Sequence, residues 1–241
     1  MPPTVSKRIA IVQSSYIPWK GYFDLIASVD EFVLYDDAQY TKRDWRNRNR
    51  IKTKNGLIWL TVPVIVKGRF VQRVRDTVIS DRRWAERHWR SIRASYARAP
   101  FFALYRPTLE ELFLGATDER LSAVNCRLLT GLCQLLGIKT RLTWSMDYAL
   151  AEGRNARLIS ICRQTGATEY LSGPTARAYV DEQQFQEAGI SVSYADYSGY
   201  PEYPQLYPPF EHHVSIVDVL VHTGPDARRF MLTQEDRVLA G

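Results

Sequence analysis

The chain has 241 residues, 45% of them hydrophobic and 24% charged, with a formal net charge of +6. That composition excludes a disordered or fibrous chain, and no apolar run approaches the roughly 20 residues of a membrane-spanning helix. The positive balance favours an anionic partner, whether nucleotide, phosphosugar, acidic carrier protein, nucleic acid or membrane face, and chooses among none of them.

In chain order, residues 9–12, IAIV, are a continuous apolar run and predict a buried parallel strand. The connection SSYIP leads into WKGYFDLIASV, where Tyr22, Phe23, Ile26 and Ala27 recur at helical spacing. Pro18 suits the first turn, so a helix is predicted over 19–28. EFVLYD is a second strand ending at Asp36 and Asp37. LIWLTVPV reads as another strand, and the alternation in VQRVRDTVI as an edge strand. Residues 81–136 carry three helical stretches. Strand–helix alternation resumes with TRLTWS, then the helix RNARLISICRQTG capped by Gly166, then the strand TEYLSG. TARAYVDEQQFQEAG is helical in one or two pieces, and ISVSYADY is a strand. SGYPEYPQLYPPFEHH is too rich in Pro and Gly for regular structure, and VSIVDVLVHTGPDARRFML gives two short helices. The predicted fold class is α/β: a doubly wound, mostly parallel, Rossmann-like sheet with a helical insertion around 81–136, in one domain over 1–241. Ligands of such sheets sit at the carboxyl ends of the strands, where SSYIPW and DDAQYTK lie.

Three cysteines, Cys126, Cys133 and Cys162, lack C-x-x-C spacing and stand among four scattered histidines, so no metal site is expected. Cys162 falls on an apolar helical stripe with Leu158 and Ile159 and reads as core, which leaves no thioester-forming cysteine. The apolar run in MPPTVSKRIAIVQSS is too short for a signal peptide, so the expected setting is the cytoplasm, with reduced thiols.

The strings IVQSSYIPWKGYFDLI, YDDAQYTKRDWRNRNRIKT, WLTVPV, YLSGPTARAYVD, YSGYPEYPQLYPPFEHHVSIVDVL and GPDARRFM together resemble the WbqC-like family, in order and over nearly the whole chain. The resemblance implies the bacterial O-antigen and surface-polysaccharide setting of that family, and transfer of an aminoacyl group onto a sugar. It implies no catalytic residues. His213 departs from the small residue that follows the histidine in many relatives, which favours His212 as the functional one.

Among the residues themselves, Asp36 and Asp37 stand at a strand's carboxyl end and are candidates for a general base or a hydroxyl acceptor; the plain alternative is a turn cap. The cationic run that follows includes Lys42, Arg46, Arg48 and Arg50, interleaved with Trp45, Asn47 and Asn49. If extended, it puts arginines on one face to grip a diphosphate, or simply forms a charged sheet edge. Gln13, Tyr16, Trp19 and Lys20 lie on the first strand-to-helix connection, which offers backbone N–H groups to an anion. That connection matches neither G-x-x-x-x-G-K-[ST] nor G-x-G-x-x-G, so no cofactor is expected. It also lacks the histidines of nucleotidyltransferase-type folds, which counts against adenylyl transfer. Ser172 and Gly173 open a helix as cap or ligand contact, and Tyr203 and Gln205 of the Tyr/Pro segment are candidate substrate contacts. His212 is the candidate base at that segment's end. Ser215, Asp218 and His222 share a helical face, but a helix surface without a G-x-S-x-G elbow does not make a triad. HHVSIVD misses HHxxxDG by one residue and the Gly.

The function expected is a transferase moving an aminoacyl or acyl group to an amino-sugar-type acceptor. Its partners would be a phosphate-bearing substrate, such as a nucleotide-sugar or phosphopantetheine-linked donor, and an acyl carrier protein. The alternatives are a non-catalytic module binding a carrier protein or glycan intermediate, and nucleotide-sugar-dependent glycosyl transfer. Nucleic acid is disfavoured, because no recognised nucleic-acid-binding motif occurs and basic residues elsewhere are balanced by acids. Convergence of DD, EHH and YLSG in one pocket would separate a catalyst from a binding module. The acidic pair and the cationic run are expected to form two sides of that pocket.

Overall fold

The computed structural model describes residues 6–231. Residues 1–5, the start of the segment MPPTVSKRIAIVQSS, and 232–241, the end of the expected domain, lie outside the described residues. β1 (Arg8–Val12) is followed by α1 (Lys20–Ala27) and β2 (Glu31–Leu34). A hairpin of β3 (Arg48–Thr53) and β4 (Gly56–Thr61) comes next, then three helices, α2 (Trp84–Tyr96), α3 (Phe102–Leu114) and α4 (Leu121–Leu135). The chain returns to β5 (Arg141–Trp144), α5 (Arg154–Thr165), β6 (Glu169–Ser172), α6 (Glu182–Glu187), β7 (Ser191–Tyr194) and α7 (Ile216–Thr223).

The main sheet has the order β5-β2-β1-β6-β7, and each neighbouring pair is parallel. Side chains alternate across a strand, so each strand feeds two cores. Ile9, Ile11 and Val33 pack with Leu158, Ile161 and Cys162 of α5 and Phe185 of α6. Ala10, Phe32, Leu34 and Leu171 face the other way, into a larger core shared with α1, α7 and the three helices between 84 and 135. Burial on both faces is why β1 and β2 read as unbroken apolar runs rather than alternating ones. Gly166 ends α5 in the left-handed region, φ 72°, as its position past Thr165 predicts. Among the described residues, no helix is long and apolar enough to cross a membrane.

Two local expectations are corrected. VQRVRDTVI is not an edge strand: it holds one 3-10 turn, Val74–Asp76, and isolated bridges from Arg73, Val78 and Ile79. The N–H groups of Val74 and Arg75 donate to the Ala38 and Asp36 carbonyls, and those of Asp76 and Thr77 turn back to the Arg73 and Val74 carbonyls, so the chain turns here instead of pairing as an edge. The cationic run becomes a strand only from Arg48, so Arg46 sits in the preceding turn and separates from Arg48 and Arg50.

Candidate functional site

In chain order the strands move outward from β1 through β2 to β5, then jump to β6 on the other side of β1. The reversal falls between β1 and β6, and their carboxyl ends open there into a crevice, the usual ligand position in such sheets. A cavity of about 830 Å³ occupies it. Gln13 from the end of β1 and Ser172 and Gly173 from the end of β6 lie on its wall, with Arg46, Trp45 and Asn49 on one side and Arg154 at the start of α5 on another. Trp19 forms an aromatic wall: Tyr197 meets it edge-on at 5.4 Å and His213 stacks on it at 5.1 Å and 28°. The Arg46 guanidinium donates to the Gln13 carbonyl at 3.0 Å and lies 3.5 Å from Asp44, which leaves it anchored on the rim. Arg154 lies over the Tyr179 ring at 5.0 Å.

Behind this wall is a buried polar layer that holds the loops together. Asp36 is fully buried, accepting from the Ser14 N–H at 2.8 Å and from the Ser122 hydroxyl. Burial raises its pKa, against the opposing bonds from Ser122 and Ser14. Asn125 donates to the Ser14 hydroxyl and the Arg46 carbonyl. Asn49 donates to the carbonyls of Tyr16 and Ile17, and Asn47 to that of Val62. Tyr16 is buried with its hydroxyl 2.7 Å from His88 Nδ1. Asp36, Tyr16 and Asn47 therefore lie one layer behind the cavity wall rather than on it. Asp37 faces elsewhere, between Arg73 at 3.2 Å and Arg75 at 2.9 Å, with the Ser145 hydroxyl donating to it at 2.8 Å. The acidic pair and the cationic run are thus not two sides of one pocket, because Arg73 and Arg75 pair with Asp37; of DD, EHH and YLSG, only His213 and Ser172–Gly173 meet in the cavity, and DD does not join them. Lys42 lies outside the cavity, over Phe70.

The Tyr/Pro segment is irregular but tightly held. Lys20 donates to the Pro201 carbonyl at 2.9 Å, and Lys52 to Gln205 at 2.6 Å and to the Pro209 carbonyl. The fully buried Asp218 accepts from Tyr96, Tyr203 and Gln205, at 2.8, 2.8 and 2.9 Å. His222 Nε2 accepts the Leu206 N–H at 3.1 Å, which fixes the neutral tautomer with its proton on Nδ1, toward the Asp218 carbonyl. Burial brings Lys20 down to about 8, with Asp218 and Glu202 pulling the other way. Lys20, Tyr203 and Gln205 therefore clamp the segment. His212 rests edge-on against Phe210, outside the cavity, with Nδ1 buried and lacking a hydrogen-bond partner. Its neighbour His213 reaches the cavity, with Nδ1 3.2 Å from Glu211 Oε1. Burial acts to raise the Glu211 carboxyl, but the His213 N–H and ring overcome it and hold the group below its usual range.

The sequence profile of the WbqC-like protein family matches residues 13–230. The chain belongs to that family. It is also 54% identical over 225 residues, 93% of this chain and 97% of the other, to a Mycobacterium tuberculosis (strain ATCC 25618 / H37Rv) protein described as "Uncharacterized protein Rv1507c". No solved structure matches the chain. The family match begins at Gln13, on the cavity wall, and spans every cavity loop described above.

Within this WbqC-like chain the fold brings together Gln13, Trp19, Trp45, Arg46, Asn49, Ser172 and Gly173 from the expected set. It adds Arg154, Thr175, Tyr179, Tyr197 and His213. Arg154 had a usable signal, since it follows β5 and opens the next helix at the binding edge. His213 had a weaker one in the Glu two residues before it. No cysteine lines the cavity, and burial pushes Cys133 and Cys162 up to about 12.

Proposed function

We propose that this protein is a cytoplasmic transferase of bacterial surface-glycan or glycoconjugate assembly. It moves an aminoacyl or acyl group onto an amino-sugar-type acceptor, and one of its substrates carries phosphate. The observation that carries the reading is the convergence of Arg46, Arg154 and the Glu211–His213 pair around one aromatic cavity at the sheet's strand ends. Arg46 and Arg154 offer N–H donors to the phosphate. Glu211 accepts the proton side of His213 Nδ1, leaving Nε2 to act as the base. As the acceptor nitrogen bonds to the acyl carbon, Nε2 takes the amine proton. The bond from that carbon to its thiolate or phosphate leaving group breaks, and the proton passes to the leaving group. A phosphopantetheine-linked donor would bring an acidic carrier protein to the basic chain.

The test is a thermal-shift panel of nucleotide-sugars, coenzyme A, ATP and free phosphopantetheine. Selective binding to the folded state raises the melting midpoint by mass action. A shift with a nucleotide-sugar or phosphopantetheine that disappears in Arg46→Gln supports the reading. With that substrate, His213→Gln is expected to lose about 10²–10⁴-fold in transfer rate while ligand binding persists. A panel that shifts nothing, or His213→Gln at full rate, would count against it and favour a binding module for a protein-borne intermediate.

A further inference from the structure

We propose a second subsite, for the oxyanion of an extended ligand, in the groove between the 42–47 turn and the β3-β4 hairpin. The groove encloses about 320 Å³ and is lined by Arg43, Arg48, Arg50, Trp45 and Trp59. The two indoles pack on each other at 5.4 Å yet stay 42% and 44% exposed. The Arg48 guanidinium lies 4.1 Å over Trp59, and that of Arg50 is 5.6 Å from Trp59 and 6.0 Å from Trp45. Stacking uses the face of a guanidinium and leaves its N–H edge for a carboxylate or phosphate.

Three further features mark the groove as built rather than incidental. Among the described residues no carboxylate lies within ion-pair distance of Arg43, Arg48 or Arg50, and Glu211 acts on Arg50 only from farther off. The Nε atoms of Arg48 and Arg50 are buried and lack a hydrogen-bond partner. Arg43 is held at φ 58°, a left-handed conformation that side chains disfavour, and Arg48 Nη2 donates to its carbonyl. A charged edge serving only to block strand pairing would not need two exposed indoles beside it.

The ligand chemistry is a phosphate or carboxylate on a ring compound, the ring lying against indole and the anion on the guanidinium edges. Trp45 lines both this groove and the main cavity, so one elongated molecule can pass from one to the other. Only the identity of that molecule's other end rests on the function proposed above. A single-stranded nucleic acid fits less well, because the indoles pack on each other instead of forming a row for successive bases.

Isothermal titration calorimetry with pyrophosphate, glucuronate and an oligo-dT decides the matter. It compares the unaltered chain with Arg48→Gln/Arg50→Gln, Trp59→Leu and Arg46→Gln, the melting midpoint of each verifying its fold. Pyrophosphate or glucuronate is expected to show a binding site that survives Arg46→Gln, whatever that variant removes in the main cavity, and that is at least about tenfold weaker in the double variant and in Trp59→Leu. Which probe binds names the phosphate or carboxylate source. Trp59→Leu carries the comparison if the double variant does not fold. No binding of either probe overturns the subsite. Loss in Arg46→Gln alone also overturns it, while placing the anion in the main cavity and leaving the proposed function standing. Oligo-dT binding tighter than both small probes and lost in the double variant would make the groove a nucleic-acid site instead.

Discussion

His88 and His213 are the same residue type under opposite constraints. His88 is 6% exposed, and its ring bonds to the Tyr16 hydroxyl and the Thr61 backbone. Burial pushes its pKa from 6.5 down to about 4; the Thr61 bond opposes this and Arg87 adds to it. Between those values the unfolded chain takes up a proton that the folded chain refuses, so stability present above pH 6.5 is lost as pH falls toward 4. The loss from this residue is about 3 kcal/mol. Urea unfolding at pH 7 and pH 4.5 is expected to show His88→Gln closer to the parent in stability at the lower pH. A gap that stays constant with pH would show that His88 is not held neutral. His213 is exposed on the cavity rim, with the Glu211 carboxylate beside Nδ1 and one face of its ring stacked on Trp19.

At the scale of elements, the start of α1 sets the shape of the cavity. Trp19 is its N-terminal flanking residue, and Gly21 leaves room for the indole to fold back over the helix. A Cβ at Gly21 would fall 2.7 Å from Trp19 Cε2 and 2.8 Å from Cη2, closer than real contacts allow. Gly21→Ala is therefore expected to displace Trp19 from its stack with His213, at a cost of about 1–3 kcal/mol in stability. Ligand binding in the main cavity should weaken, while anion binding in the Arg48 groove is retained. A variant that melts and binds like the parent would show that the indole has another place to go. The hairpin makes the complementary point. Asn49 and Ile51 turn inward, Asn49 bonding to the Tyr16 and Ile17 carbonyls, while Arg48 and Arg50 alternate with them, so one strand braces the loop and presents two guanidiniums on its other face.

At the scale of the whole molecule, the helices between 84 and 135 are not an independent body. Trp84, Ile92, Leu109, Phe113 and Leu128 share a continuous core with Phe32 and Leu34 of the sheet and Ile216 and Leu220 of α7. Ser122 and Asn125 of α4 reach the buried layer behind the cavity directly. Far-ultraviolet circular dichroism and tryptophan fluorescence are thus expected to report one coincident unfolding transition. Two separated transitions, with the helices leaving first, would show that the shared core does not couple them.

The central strands, α1, the helices between 84 and 135 and the final two short helices were legible in the sequence, because burial on one or two faces leaves a local periodicity. The strand-end loops were legible by position, since they follow the carboxyl ends of the predicted strands. What could not be read was partnership. Asp37 turned away from the cationic run because Arg73 and Arg75, some forty residues further on, come closer to it than Arg46 does. Asp36 read as a candidate base and Lys20 as an anion-binding residue, yet both lie buried against groups from α4 and the Tyr/Pro segment. His213 displaced His212 on the cavity wall because the clamp of Lys52, Gln205 and Asp218 fixes which way the segment faces. Composition and local pattern decided which chemistry the loops carry. Long-range ion pairs and burial, which depend on distances that only the packed chain defines, decided which of those groups meet.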